Sequence, residues 1–151
     1  MKTLKYKEFQ LATIIFIIAI PAQIFLTIAY MTQMGTNPMS ATSYAIATSV
    51  FGIIYLLFYG MKTTIDDTTI RISYGIGLIT KRIKLEDISS VVIVSSPWYY
   101  GWGIRIIPNG MLYNIHGTQG VELTFKNTRR IIRIGSANTL ALQRAITSSS
   151  N

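Results

Sequence analysis

The chain has 151 residues; half are hydrophobic, 13% are charged and none is cysteine. Disulfides and thiolate metal sites are therefore excluded, and the charged fraction is about half that of an average soluble domain. The net charge of +8, from 14 basic and 6 acidic residues, favours a polyanionic partner, for which nucleic acid and anionic lipid headgroups are the two obvious candidates.

The first feature in chain order is a long block without charge. Residues 9–61, 53 in all, include no Asp, Glu, Lys or Arg. Two apolar runs, at about 11–31 and 41–60, flank a turn-forming segment that contains Gly35, Asn37 and Pro38. Each run has the roughly 20 residues that a helix needs to cross a hydrocarbon core of about 30 Å. The sequence predicts a transmembrane helical hairpin over residues 11–61.

The charges on either side of the block predict its orientation. Lys2, Lys5 and Lys7 precede the first run, and Lys62 follows the second. The connecting loop contains no Lys or Arg. By the positive-inside rule, both termini are cytoplasmic, and residues 1–10 form a basic N-terminus. The alternative is a signal peptide cleaved after Ala22, but Ile20 would then occupy a position that needs a small residue.

Gln23 is a lone polar residue near the middle of the first predicted helix. One interpretation is a substrate or pathway contact, and the other is a hydrogen bond between helices, within the hairpin or across an oligomer. A transport pathway normally shows several polar or ionisable groups at this depth. The charge-free block therefore favours the hydrogen bond.

Beyond Lys62 the apolar period changes from helical spacing to two. The segments TIRISY and VELTFK alternate strictly, which is typical of half-buried strands, and ISSVVIVSS is apolar on both sides, which indicates a central strand. Turns are predicted at residues 74–77 and 108–110, with Gly110 supplying a positive φ in the second. Residues 62–134 thus predict about seven strands in an antiparallel meander.

A helix is predicted after the last strand. Ser136 or Asn138 is placed to cap it, and Leu142, Ala145 and Ile146 share one face. A curled sheet has an open end, and this amphipathic helix is predicted to close it. Residues 148–151 are predicted to fray.

The second half of the chain resembles a known family. Seven strands followed by one helix is the pleckstrin-homology (PH) arrangement. Residues 101–146 closely resemble bacterial PH-like domains attached to short transmembrane hairpins, and the likeness covers roughly residues 62–146. The residues that match the family's glycine-bounded motif, acidic strand and final RIG segment are Gly103, Ile104, Arg105, Pro108, Gly110, Leu112, Tyr113, Asn114, Glu122, Arg133, Ile134 and Gly135.

The resemblance implies the fold and the location. It implies a membrane-anchored α+β protein, in which the hairpin precedes a PH-like seven-stranded antiparallel β-sandwich or barrel at residues 62–147, capped by the C-terminal helix. It also implies a multi-pass protein of the bacterial plasma (inner) membrane. The family carries over no catalytic residues. Eukaryotic relatives grip phosphoinositides through basic residues around their first strand loop, but here that loop is Tyr74-Gly75-Ile76-Gly77, so a pocket of that kind is not expected.

The densest aromatic segment of the chain is a candidate binding region. It comprises Trp98, Tyr99, Tyr100 and Trp102. The structural interpretation is an irregular link between two strands, in which glycines permit a bulge. The functional interpretations are contact with lipid headgroups and a groove for a partner.

Polar and basic residues give further binding candidates. Arg105 and Asn114 fall on neighbouring predicted strands, where they either brace the sheet or bind an anion through the guanidinium. The basic surplus lies in two groups, of which the binding candidates are Arg82, Lys84, Arg129 and Arg130. Each cation near an anionic leaflet contributes about 1 kcal/mol. Nucleic acid is disfavoured, because no motif for its recognition is present.

No catalytic or metal-binding pattern stands out. His116 is the only histidine, and a metal site needs several ligands. The acidic pairs Asp66-Asp67 and Glu86-Asp87 are adjacent in sequence, so they do not form the opposed carboxylates of acid–base catalysis. No cofactor and no enzymatic activity are expected.

These observations predict a non-catalytic, membrane-anchored adaptor. It is expected to act at the cytoplasmic membrane surface, through protein partners or anionic lipid headgroups, with self-association as a further expectation. The alternatives are an accessory subunit of a larger membrane complex or transporter and, less favoured, an enzyme with an unrecognised active site.

Overall fold

The computed structural model of the chain describes residues 4–150, so Lys2 and Asn151 lie outside the described residues. The fold is α+β, with two N-terminal helices, one sheet of four strands, one of five, and a C-terminal helix. The elements are β1 Tyr6–Leu11, α1 Thr13–Met31, α2 Ala41–Phe58, β2 Gly60–Ile65, β3 Thr69–Tyr74, β4 Ile79–Lys84, β5 Ile88–Ser95, β6 Gly103–Ile107, β7 Gly110–Asn114, β8 Gln119–Phe125, β9 Thr128–Gly135 and α3 Thr139–Ser150.

The charge-free block forms the helical hairpin α1–α2. Both helices are long and apolar enough to cross a membrane, and Ala19 is the one buried residue within them. The two helices contact each other through polar and aromatic pairs. Gln23 Nε2 donates to Thr48 Oγ1 at 3.2 Å, and the rings of Tyr30 and Tyr44 stack 4.3 Å apart. Gln23 therefore makes the hydrogen bond between helices that the sequence favoured.

The hairpin is inserted within the first sheet, between two paired strands. β1 precedes α1 and β2 follows α2, yet the two strands pair antiparallel from Tyr6↔Ile65 to Leu11↔Gly60. The Ala12 N–H donates to the Tyr59 carbonyl at 2.9 Å, which closes the base of the hairpin. The sequence had assigned these first residues to a basic terminus. A strand whose partner begins about 50 residues later leaves no local turn signal, so its pairing was missed.

The second sheet has the order β5-β8-β9-β7-β6, which corrects two predictions. It is not a simple meander, because the β6–β7 hairpin adds to β9 with β7 parallel to it. β5 is an edge strand rather than a central one. Val91 and Ile93 pack against the core, whereas Val92, on the opposite face, is 52% exposed. The helix α3 packs against this strand, and Gln143 Nε2 donates to the Val91 carbonyl at 3.0 Å. Nine strands are described, where about seven were predicted.

The inner faces of both sheets and one face of α3 form a single core. The fully buried side chains include Ile72 and Tyr74 from the first sheet, Leu123 from the second, and Leu142 and Ile146 from the helix. A sheet face of this kind buries alternate residues, which is why the period of two marked these strands correctly. The predicted helical face is confirmed.

The ends of α3 refine the sequence prediction. Asn138 is the cap, because its Oδ1 accepts from the Ala141 N–H at 3.1 Å. The helix continues to Ser150 instead of fraying from residue 148. The hydroxyls of Ser148 and Ser149 donate to the Ala145 carbonyl, so these two side chains bond back to the preceding helical turn.

The turns lie at two opposite ends of the strands. At the end beside the hairpin, called the hairpin end here, lie residues 75–78, 96–102 and 115–118. At the far end lie residues 66–68, 85–87, 108–109 and 126–127, and backbone hydrogen bonds join Leu85 to Thr68 and Lys126 to Asp87. In the turn at 108–109 the positive φ belongs to Asn109, at 63°, not to Gly110. Gly110 instead lies so close to the Ile131 carbonyl that no Cβ fits there.

Candidate functional site

The aromatic segment lies at the hairpin end. Trp98–Tyr100 form one short 3₁₀ turn, in which the Trp98 side chain is 76% exposed and Tyr99 is 68% exposed. The ring of Tyr99 meets that of Tyr100 edge to face, with centroids 5.3 Å apart. Trp102 is half-buried. This segment is the irregular link between β5 and β6 that the sequence predicted.

A crevice of about 600 Å³ separates this segment from the first two turns of α1. Its walls include Ile14, Ile18 and Ala19 on the helix and Trp102 and Ile104 on the facing chain. Arg105 is the one charged residue in its lining. The structure therefore joins two sequence candidates, Trp102 and Arg105, to residues of the hairpin that the sequence had not considered as a site.

Arg105 is held by the backbone of the same segment. Its Nε donates to the Trp102 carbonyl at 3.1 Å, and its guanidinium packs over Gly101. Gly101 and Gly103 have φ of +72° and +94°, values that glycine adopts without strain, so these two residues allow the chain to fold back beneath the arginine. Arg105 is exposed, and among residues 4–150 no carboxylate forms an ion pair with it.

Asn114 does not join Arg105. Its side chain is 2% exposed, and Oδ1 accepts from the N–H groups of Ile115 and His116 while Nδ2 donates to the Gly117 carbonyl. Asn114 thus holds the turn between β7 and β8. Asn114 and Arg105 form neither a bracing pair nor a shared anion site, because both polar atoms of the Asn114 side chain form hydrogen bonds within its own turn.

The remaining basic candidates lie mostly at the far end. Lys84 ends β4 and donates to Glu86 at 3.0 Å, an exposed ion pair that raises the pKa of the lysine. Arg129 and Arg130 follow the far-end turn at 126–127 and are exposed. Arg82 differs from these three, because it faces outward from the middle of β4, opposite Arg71. The two groups of basic candidates lie in different sheets, so they do not form one surface.

The outer face of the first sheet carries a second group of cations, called the basic face here. Cross-strand pairing aligns two rows of outward residues, Phe9, Lys62, Ser73 and Thr80, then Lys7, Thr64, Arg71 and Arg82. A shallow polar cleft of about 330 Å³ runs between them, with Lys62 and Arg71 on its walls and Tyr59 at its hairpin end. Lys62, in the row nearest the hairpin end, lies four residues beyond Phe58, the last residue of α2.

The acidic residues lie elsewhere, so the charges of the basic face are uncompensated. Four of the six acidic residues, 66, 67, 86 and 87, are in far-end turns, where Asp67 pairs with Lys5 and Glu86 with Lys84. Glu8 points inward and accepts from the Ser136 hydroxyl and the Ala137 N–H. In the described part of the chain, no ion pair involves any cation of the basic face.

The polar residues of the family-like motif have structural contacts. Arg133 Nε donates to Glu122 Oε2 at 2.8 Å across β9 and β8, and both side chains are 21% exposed. The Tyr74 hydroxyl donates to the Asn114 carbonyl, and burial raises the pKa of Tyr74. In the part of the chain that the structure describes, no cluster of three or more His, Asp or Glu side chains could hold a metal ion.

Sequence reasoning missed the basic face as a unit. From the sequence, Lys7 and Lys62 were interpreted only as charges that orient the hairpin, and Arg71 was interpreted as a residue of the predicted strand TIRISY. The available signal was the period of two: Lys62 and Thr64 alternate with buried Met61, Thr63 and Ile65. That pattern shows which residues of each strand face outward. Which outward residues lie side by side on neighbouring strands depends on the pairing of β1 with β2.

No protein-family model matches this chain, and comparison with curated proteins and with solved structures finds no match. The functional argument therefore rests on the geometry described above.

Proposed function

We propose that this chain is a non-catalytic, membrane-anchored binding protein whose basic face engages anionic lipid headgroups at the cytoplasmic surface of a bacterial inner membrane. The observation that carries the proposal is the pairing of β1 with β2 across the base of the hairpin. This pairing makes the first sheet a continuation of the two apolar helices and places both ends of the hairpin on the same side. The flanking lysines favour the cytoplasm as that side. The domain is thereby held against the leaflet at a fixed height.

The lengths of the elements support this placement. At 1.5 Å per residue, the 19 and 18 residues of α1 and α2 extend about 27–29 Å, close to the thickness of the hydrocarbon core. Gly60 then lies near the interface. Lys62 is about 7 Å farther along β2, and Arg71 is one row beyond it. The headgroup layer is about 5–8 Å deep, so the long side chain of Lys62 falls within it.

The distribution of charge favours the same surface. Far-end cations stand roughly 15 Å or more from the interface, beyond the Debye length of about 8 Å at physiological salt. On the basic face, Lys62 lies within one such length, whereas Lys7 and Arg71 lie one row farther out, and none of the three is in an ion pair within the described residues. A cation near an anionic leaflet contributes about 1 kcal/mol, and this contribution falls off within a Debye length, so the three together favour anionic over neutral lipid by about tenfold to a hundredfold.

The PH-like architecture is part of the proposal. Without the β6–β7 hairpin, seven strands and one helix remain, which is the number of elements in the PH arrangement. The β6–β7 hairpin itself carries the glycine-bounded part of the sequence resemblance. In this view β6–β7 is an addition to the edge of β9, and the hairpin α1–α2 occupies the first strand connection. The sequence had placed the first strand connection at residues 74–77, but β1 and β2 precede β3, so the first connection is the α1–α2 hairpin. In eukaryotic PH domains the corresponding connection surrounds a headgroup pocket, and here it would be the membrane anchor.

A second candidate function is that of an accessory subunit in a larger membrane complex. The observation that favours it is the exposed edge strand β6, on which Ile106 is 87% exposed, close in sequence to the exposed Trp98. An uncovered apolar edge of this kind is a common site of strand or partner addition. Affinity purification from native membranes tests this function, and a stoichiometric larger membrane protein is the expected result.

The lipid proposal is tested with the full chain in nanodiscs. Because the chain has no cysteine, a single Thr80→Cys substitution on the basic face accepts one donor dye. Energy transfer is measured to an acceptor on either an anionic or a neutral lipid headgroup. We expect stronger transfer to the anionic acceptor, and weaker preference at high salt because surface charges are screened.

Matched charge variants decide which surface is responsible. One triple variant removes charges from the basic face: Lys7→Gln, Lys62→Gln and Arg71→Gln. The control triple variant removes the same charge from the far end: Lys126→Gln, Arg129→Gln and Arg130→Gln. The first should abolish the preference for the anionic acceptor, and the second should retain it. An equal effect of the two variants, or equal transfer to both acceptors in the native chain, refutes the proposal.

A further inference from the structure

The crevice between α1 and the aromatic segment has the properties of a ligand site that is separate from the basic face. Its volume of about 600 Å³ is in the range of small-molecule pockets, about 300–1,000 Å³. The walls are almost entirely apolar and are supplied by both the hairpin and the second sheet. An apolar cavity of this kind takes an apolar ligand, because burial of hydrocarbon is its main source of binding energy.

The position of the crevice indicates where that ligand comes from. Ile14, Ile15, Ile18 and Ala19 are on the first two turns of α1, directly after the strand that precedes it. Ile18 is 66% exposed at the crevice, so the cavity is open along the helix rather than enclosed. If α1 spans the membrane, these turns lie in the hydrocarbon just below the headgroups. The opening then faces the acyl chains of the inner leaflet.

Arg105 gives the crevice a charged end. The hydrogen bond from its Nε to the Trp102 carbonyl fixes the guanidinium plane and leaves the terminal N–H groups for another acceptor. Arginine presents these donors as a fork that matches a phosphate. The crevice thus has a hydrocarbon-lined body and one cationic group at its edge, which matches the two parts of a phospholipid.

We infer that the crevice binds one phospholipid molecule, with an acyl chain against Ile18 and Ala19 and its phosphate on Arg105. This inference rests on the membrane placement in the proposed function, and it does not require the basic face. A bound lipid would fill the space between the hairpin and the second sheet, whose facing residues line this crevice. It would also fix the tilt of the β-sandwich relative to the bilayer.

Fluorescence quenching tests the position of the acyl chain. The chain has two tryptophans, so Trp98→Phe leaves Trp102 on the crevice wall as the one indole. The protein is reconstituted with phosphatidylglycerol that carries brominated acyl chains. We expect strong quenching of Trp102, which Ala19→Leu relieves by filling the crevice. The control Ala22→Leu makes the same change at an exposed position of α1 outside the crevice, and it should leave the quenching intact.

Lipid retention tests the phosphate contact. Native mass spectrometry of the full chain, released from detergent, should show one retained phospholipid for each protein chain. Arg105→Gln, a change at an exposed residue that leaves the core untouched, should lower the retained fraction about tenfold. Arg130→Gln is the control, since it removes an equally exposed charge from the far end, and should have no effect.

The outcomes separate this inference from the proposed function. Equal quenching in Ala19→Leu and Ala22→Leu overturns the inference, as does equal lipid retention in Arg105→Gln and Arg130→Gln. An adduct with the mass of a free fatty acid also overturns it. If the basic-face variants fail to alter headgroup preference while the crevice results hold, the headgroup function is wrong and the bound lipid remains. Release of the chain by alkaline carbonate refutes both.

Discussion

Gly75 is the residue at which the first sheet touches the end of the α1–α2 hairpin, and its substitution tests whether the two are rigidly joined. It has a φ of +50°, and a Cβ added there would overlap the carbonyl oxygens of Leu56 and Leu57 in the last turns of α2. Its N–H donates to the Gly60 carbonyl at 2.9 Å, and the next N–H, of Ile76, donates to the Leu56 carbonyl at 3.1 Å.

Gly77 is the matched control for this substitution, because it lies in the same turn with a φ of +92° and has no atom within 4 Å of an added Cβ. An alanine in left-handed backbone costs about 1–2 kcal/mol. This term is at least as large at Gly77, whose φ is farther from the left-handed minimum near +57°. Gly77→Ala should therefore lower stability by about 1–2 kcal/mol through the backbone alone.

Gly75→Ala carries two additional penalties. Backbone shifts forced by overpacking cost about 1–3 kcal/mol, and each weakened hydrogen bond costs about 1 kcal/mol. The extra loss relative to Gly77→Ala is about 3 kcal/mol. For a chain of about 150 residues this corresponds to a further drop in melting temperature of about 6–12 °C.

The comparison is made by thermal unfolding of the full chain in detergent micelles, followed by far-ultraviolet circular dichroism. Amide hydrogen exchange provides a second readout, in which the Ile76 amide should exchange faster in Gly75→Ala than in Gly77→Ala. Equal melting temperatures for the two variants, or a lower melting temperature for Gly77→Ala, would show that the turn at Gly75 is not tightly packed against α2. Such a result would refute a rigid connection between the first sheet and the hairpin.

The other predictions concern the core, the helix cap and one turn. Leu142→Ala, which removes three buried carbons, should destabilise the chain by about 3–4 kcal/mol in urea unfolding, whereas the same change at the exposed Leu140 should cost less than about 0.5 kcal/mol. Loss of the α3 cap in Asn138→Ala should cost about 1 kcal/mol, and no change in unfolding would exclude this cap. The Thr68 N–H, with further hydrogen bonds, lowers the pKa of Asp66 to about 2, so this carboxylate stabilises the fold above the unfolded pKa near 4, and its contribution disappears as the pH falls towards 2. Asp66→Asn should flatten the loss of stability between pH 4 and 2, and an unchanged acid profile would contradict the assignment.

The sequence by itself determined the elements whose signal is local. The charge-free block and its two apolar runs define α1 and α2, since each helix satisfies its own backbone and needs only its own length and composition. Asn138, Leu142 and Ile146 likewise mark α3 within a few turns of chain. Strands with a buried face, such as β3 and β8, were evident because burial of alternate residues is visible within five or six positions.

The hairpins β3–β4 and β6–β7 were predicted from their turns, but only the tertiary structure decided how strands distant in sequence pair. β1 pairs with a strand on the other side of the hairpin, β7 runs parallel to β9, and β5 lies at an edge covered by α3. These pairings join residues far apart in the chain, and no short segment encodes a partner at that distance. Both candidate sites depend on such pairings: the basic face needs β1 beside β2, and the crevice needs Arg105 beside α1. The sequence could supply the cations and the aromatic residues, but their assembly into surfaces is a property of the long-range contacts of the fold.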